Sequence, residues 1–96
     1  MGDIYKAIAD PIRRDILNLL KENDLTVNEI VNKFEISQPS ITNHLTILKN
    51  AGLISSEKSG RHVYYSLNTT VLEESFKWFL SLINAKGWIN WKIYYY

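Results

Sequence analysis

The residues best placed to do chemistry in this chain are amides and hydroxyls gathered between Ile36 and Leu48, in the stretch ISQPSITNHLTIL. Ile41, Leu45 and Leu48 recur at the spacing of one helix face, with Gln38, Ser40, Thr42, Asn43 and His44 between them. A solvated helix face normally carries charged side chains, and this one does not until its last turn. At about 100° per residue, Pro39, Asn43, Thr46 and Asn50 project opposite the apolar stripe. Gln38, Thr42 and Lys49 take one shoulder. Gln and Asn can pair bidentately with adenine, Ser and Thr can serve several bases or a phosphate, and a methyl group can touch thymine. The N-terminus of such a helix also favours a phosphate, which suits Ser37 and Ser40. The pattern fits a helix pressed into a major groove. The competing reading is a solvated helix that happens to be poor in charge.

Other chemistry has little material. The chain has no Cys, which excludes a disulfide, a thiolate metal site and a Cys nucleophile. It has two histidines, on separate elements, and SGRH lacks the Gly spacing and Lys of a phosphate-binding loop. No nucleophile, base and pocket come together, so an enzyme is not expected. His44 falls nearer the apolar stripe than the outward face and reads as a partly packed, hydrogen-bonded side chain. Arg61 and His62 sit just past a turn, where a wing tip would meet phosphate or the minor groove; for His62 a solvated turn is an equal reading. Arg13 and Arg14 could reach a DNA backbone or pair with Asp10 or Asp15.

These side chains need a scaffold, and the sequence supplies one. Ninety-six residues fit a single domain, 1–96, with one modest core. Ile4 to Ala9 reads as a short helix, and Asp10-Pro11 restarts a second, PIRRDILNLLK. Thr26 and Glu29 have capping-box spacing and open a third helix that contains Ile30, Val31 and Phe34. Ser37 caps the fourth, with Pro39 in its first turn and Gly52 as its stop. LISSEK and RHVYYSL then flank a turn at Ser59-Gly60 as two antiparallel strands, with Leu53, Val63, Tyr65 and Leu67 in a period of two. Asn68 can cap a last helix, TTVLEESFKWFLSLINA, closed by Gly87. The order helix, helix, helix, helix, hairpin, helix (α-α-α-α-β-β-α) is a winged helix-turn-helix, mainly α with a small β-hairpin wing.

Charge is uneven along this scaffold. Residues 1–35 carry five basic and seven acidic groups, residues 36–68 three basic and one acidic, and the remainder three and two. The amide-rich helix therefore lies in the basic third, although the whole chain is only +1. No apolar run approaches the ~18 residues of a membrane span, and the N-terminus lacks a signal-peptide pattern. A cytoplasmic location is expected.

AIADPIRRDILNLL, VNEIVNKFEISQPSITNHLTILKNAGLI and SGRHVYYSLN together cover about residues 4–68. On these stretches the chain resembles the ArsR family of bacterial winged-helix repressors. YYSLNTTVLEES looks most like its Sdp-type autorepressor branch. The resemblance implies a homodimer built from the first and last helices, where Ile4, Ile8, Leu72, Phe76, Phe79, Leu80 and Ile83 supply apolar faces. It also implies that the fourth helix reads double-stranded DNA, with contact positions that fall on Gln38, Pro39, Thr42 and Asn43. Metal-sensing members often carry two cysteines at the start of the third helix, where this chain has Thr26 and Asn28. Others use histidines and carboxylates on the last helix, where only Glu73 and Glu74 remain. Adjacent carboxylates on a helix diverge by about 100° and make poor partners for a transition metal. No metal and no cofactor are therefore expected. The Sdp-type resemblance implies control by a regulatory protein partner, membrane-bound or otherwise, or simple autoregulation.

Two questions stay open at this point. A winged helix can also serve as a protein-interaction module with little specific DNA binding, and the low net charge favours that alternative. The aromatic tail, with Trp88, Trp91 and Tyr94 to Tyr96, could pack in a dimer or dock a regulator.

Overall fold

The computed structural model describes residues 2–85. Within them the chain runs α1 (Gly2–Ala9), α2 (Pro11–Glu22), β1 (Leu25–Thr26), α3 (Val27–Val31), α4 (Gln38–Asn50), β2 (Ile54–Ser59), β3 (His62–Leu67) and α5 (Thr70–Ala85). Gly87 and the aromatic tail lie outside the described residues.

A single residue, Asp10, joins α1 to α2. Its carboxylate accepts from the backbone N–H of Ile12 at 2.8 Å and of Arg13 at 3.2 Å, and Pro11 follows where a missing N–H costs nothing. The two arginines turn back across the joint. Arg13 Nε donates to the Ala7 carbonyl at 2.7 Å and its Nη2 to the Lys6 carbonyl at 3.0 Å. Arg14 Nη1 donates to the carbonyls of Ile8 and Ala9 at 2.8 and 3.0 Å. The last carbonyls of α1 are thus closed by cations, which the helix dipole also favours. These guanidinium groups are engaged within the chain rather than with Asp10 or Asp15.

Burial would by itself raise the Asp10 carboxyl, but the Arg13 and Ile12 N–H groups outweigh it and hold the group below its ordinary value of 3.8. A depressed carboxyl stabilises the fold above its unfolded value, and that contribution is lost as pH falls through the folded value. Asp10→Ala should therefore cost about 1 kcal/mol at neutral pH. The gap in thermal stability from the parent should narrow as pH drops below 3.8. A gap unchanged at acid pH would show that the charge on Asp10 contributes nothing.

The sheet holds one strand more than the sequence pattern suggests. β1 pairs antiparallel with β3, Leu25 opposite Tyr65 and Thr26 opposite Tyr64, so the order is β1-β3-β2. A two-residue strand has no periodicity to read, and its partner lies about forty residues away. Thr26 ends this strand and also caps α3. Its hydroxyl accepts from Glu29 N–H at 3.2 Å while its own N–H donates to the Glu29 carboxylate at 2.9 Å. The Thr26 N–H, and after it the Thr26 hydroxyl, hold that carboxyl below its ordinary range. α3 is shorter than expected: it stops at Val31, and Phe34 packs on the core from the turn that follows.

Ser37 caps α4, and Gly52 beyond its end has φ of 79°, the left-handed value that ends helices on glycine. A Cβ at Gly52 would also lie 3.0 Å from Val71 Cγ2. The hairpin turn falls on Gly60-Arg61, one position later than the sequence pattern places it. Ser59 faces His62 across the ladder, and Gly60 takes φ of 62°. Val63 is exposed because it lies beyond the supported part of the sheet, whereas Tyr65 and Leu67 pack on the core.

That core gathers Ile4 and Ala7 of α1, Ile16 and Leu20 of α2, Ile30 of α3 and the inward stripe of α4, closed by Leu53 and Ile54. Ile4 was expected on an intersubunit face. It is only 2% exposed in the single chain, so its side chain is already spent inside it. An amphipathic stripe shows which face is buried but not what covers it.

Candidate nucleic-acid interface

α4 divides its faces as the spacing requires. Ile41, Leu45 and Leu48 are buried, while Gln38, Pro39, Thr42, Asn43, Thr46, Lys49 and Asn50 are exposed. A buried stripe of this kind fixes the helix in the fold and leaves the opposite side free to meet a ligand. Gln38, Pro39, Thr42, Asn43 and Thr46 line one open concavity on that side.

Within this face the polar groups are unequally free. Thr46 Oγ1 donates to the Thr42 carbonyl at 3.0 Å, so its hydroxyl proton is already used within the helix. Ser37 Oγ accepts from Ser40 N–H at 3.3 Å and donates to Ser40 Oγ at 3.1 Å. Among the described residues, the Gln38 and Asn43 amides have no hydrogen-bond partner, so both donors and acceptors remain open to base edges.

His44 follows Asn43 but turns to the flank. It is half-buried, and its Nδ1 lies 3.3 Å from Arg13 Nη1. This matches the packed, hydrogen-bonded role expected for it. Its partner lies 31 residues earlier, too far for spacing alone to reveal.

The wing comes to the same side. Arg61 and His62, both exposed, line a cleft of about 380 Å³ with Gln38 and Thr42 of α4 and Thr26 to Asn28 at the start of α3. Val63 and Tyr65 complete its wall. The His62 ring lies edge-on to Tyr64 with centroids 6.3 Å apart. Lys49 Nζ donates to Ser56 Oγ on β2 at 2.7 Å, tying the end of α4 to the wing. Of the nine residues singled out on sequence grounds, Gln38, Pro39, Thr42, Asn43, Thr46, Arg61 and His62 line these two adjoining concavities, while Ser37 and Ser40 sit at the N-terminus of α4 and line neither. Asn28, Val63 and Tyr65 join them only through tertiary packing, which no local pattern signals.

A second exposed surface is apolar and lies on α5. Phe76 is 62% exposed and Leu82 51%, with Trp78 and Phe79 also open. Tyr5 of α1 meets Phe79 edge-on with centroids 5.7 Å apart, and meets Trp78 at 6.5 Å. The Tyr5 hydroxyl is buried and has no hydrogen-bond partner among the described residues. Of the expected apolar set, Ile8 and Leu72 pack partly on the core, and Leu80 and Ile83 are half-buried. The sequence reading missed Tyr5, Trp78 and Leu82; large apolar residues surround much of α5, so periodicity could not isolate its outer face.

Comparison with known proteins places these surfaces in context. The model for bacterial regulatory proteins of the arsR family matches residues 10–56. The transcriptional repressor SdpR of Bacillus subtilis is 54% identical over 84 residues, a match covering 88% of this chain and 93% of SdpR. The HTH-type transcriptional repressor SmtB of Mycobacterium tuberculosis is 41% identical over 66 residues, covering 69% of this chain and 49% of that protein. An ArsR-like transcriptional regulator from Rhodococcus sp. RHA1 superposes with a TM-score of 0.81 at 27% identity, over 88% of this chain and 77% of its own.

Proposed function

Because the chain belongs to the arsR family of bacterial regulatory proteins, we propose that it acts as a metal-independent homodimer, its two α4 helices set in successive major grooves. The chain is a DNA-binding transcriptional repressor of that family. Residues 1–96 work as one cytoplasmic domain without catalysis. The observation that carries the DNA-reading role is the free, amide-bearing face of α4 beside the Arg61–His62 wing tip. Ser37, Gln38, Pro39, Ser40, Thr42, Asn43 and Thr46 meet the groove, and Arg61 and His62 meet phosphate or the minor groove. Two-fold symmetry then calls for an imperfect inverted repeat with half-sites about one helical turn apart.

The dimer forms through α1 and the outer face of α5, for which the exposed Phe76, Phe79 and Leu82 and the adjoining Tyr5 ring provide the surface. Metal independence is supported by the start of α3: the Thr26 side chain is committed to the cap. Glu73 and Glu74 diverge on α5 as adjacent helix residues do. Control then falls to a protein partner or to autoregulation. Autoregulation makes DNA upstream of the protein's own gene the first operator to test.

The test is fluorescence anisotropy of the chelator-treated protein on that DNA against a scrambled duplex, at several salt concentrations. Tight, selective, salt-sensitive binding is the expected result. Equal weak binding to both duplexes, with or without added metal, would favour a protein-interaction module. In the same assay Asn43→Ala should cost about 1–3 kcal/mol and relax selectivity at one base position. An equal loss on every sequence would make Asn43 a backbone contact. Arg61→Ala should weaken binding on all sequences and reduce the salt slope by about one. An unchanged slope would remove Arg61 from the interface.

A further inference from the structure

We propose that Arg13 is a positioning residue for base recognition, holding α4 at a fixed rotation by joining the end of α1 to the flank of α4 through His44. The proposal rests on the reading of α4 as the helix that meets DNA. Three observations carry it. First, one half-buried guanidinium holds three acceptors from two other elements: the Lys6 and Ala7 carbonyls on α1 and His44 Nδ1 on α4. Guanidinium only donates, so Nδ1 is the acceptor and the ring N–H sits on Nε2. Second, the two α1 carbonyls fix the plane of the fork, so its remaining arm reaches α4 from a set direction. Third, Arg13 borders an open groove of about 430 Å³ lined by Asp3, Lys6, Ile47, Asn50 and Ala51, outside the buried contact that Ile4 and Ala7 make with the core, so this link acts at the rim of the α1–α4 packing.

The neighbour of His44 explains why rotation matters. Asn43 bears a free amide on the outward face. A helix with side chains has a radius of about 5–6 Å, so a rotation of ~10° moves an outward amide by about 1 Å. That displacement is enough to spoil a bidentate pair with a base. A contact on the α1 side of α4 thus sets register on the DNA side without touching DNA.

The experiment compares Arg13→Gln, His44→Leu, the double variant and Asn43→Ala by anisotropy on duplex DNA from upstream of the protein's own gene and on a scrambled duplex, with salt titrations and thermal melts. Arg13→Gln and His44→Leu should each weaken binding to the upstream duplex about tenfold. Binding to scrambled DNA and the salt slope should stay as in the parent, and the double variant should be no worse than either single change. A salt slope lowered by about one in Arg13→Gln would make Arg13 a phosphate contact and overturn the proposal. So would additive losses, or a lower melting temperature with unchanged affinity of the folded protein. If Arg13→Gln fails to fold, His44→Leu carries the test alone. If Asn43→Ala relaxes selectivity while His44→Leu does not, only the positioning role falls; if neither does, the reading of α4 falls with it.

Discussion

Phe76→Asp should leave the chain folded and separate the two copies of the proposed dimer. Phe76 is the most exposed of the large apolar side chains on α5, at 62%, and contributes nothing to the buried core of its own chain. A carboxylate there costs little in a free monomer. Buried against a second apolar α5 face it would lose its hydration without a partner. The expected cost to association is about 2–4 kcal/mol. DNA affinity should fall further than either half-site alone would predict, because joining two binding units commonly gains 10²–10⁴-fold. Sedimentation equilibrium and a thermal melt read the two consequences separately. A variant that stays dimeric with normal affinity would move the interface away from this face.

Leu45→Ala should do the opposite: act on folding and affect DNA only through it. Leu45 is 1% exposed, on the inward stripe of the same helix that carries Asn43 outward. Truncating a fully buried Leu costs about 2–5 kcal/mol, a large part of the ~5–15 kcal/mol that holds a small domain together. The urea midpoint should drop sharply, and binding should vanish in step with the folded fraction. The salt slope of the remaining folded protein should be unchanged. A melt like that of the parent would mean that α4 is not seated on Ile41, Leu45 and Leu48 as described.

The contrast between these faces shows what could be read from the sequence. The division of α4 was legible because Ile41, Leu45 and Leu48 obey a helical period over about two turns, and Ser37, Pro39 and Gly52 mark its ends by chemistry that acts locally. The same holds for Asp10-Pro11 and the Thr26–Glu29 box, each a pattern within four residues. What could not be read depends on distant partners. β1 exists because Tyr64 and Tyr65 offer it a ladder edge. Ile4 is buried because α2 and α4 close over it, so a stripe that suited a dimer face became core. Arg13 had two plausible partners nearby in sequence, and the folded chain gave it three others. The position of Asn43 on the outward face followed from periodicity, but what keeps it at that rotation did not.

The brief strand β1 has a mechanical meaning. It clamps β3 at Tyr64 and Tyr65, directly before α3 begins, so the hairpin is a cantilever with its root built into the helical body. Only the pairs Lys58–Val63 and Ser59–His62 project past the clamp. A short beam bends far less than a long one under the same load. On the proposed reading, the push of a phosphate backbone on Arg61 would be carried back into the head of α3 instead of being absorbed by a swinging hairpin, and wing and helix would meet DNA as one stiff jaw.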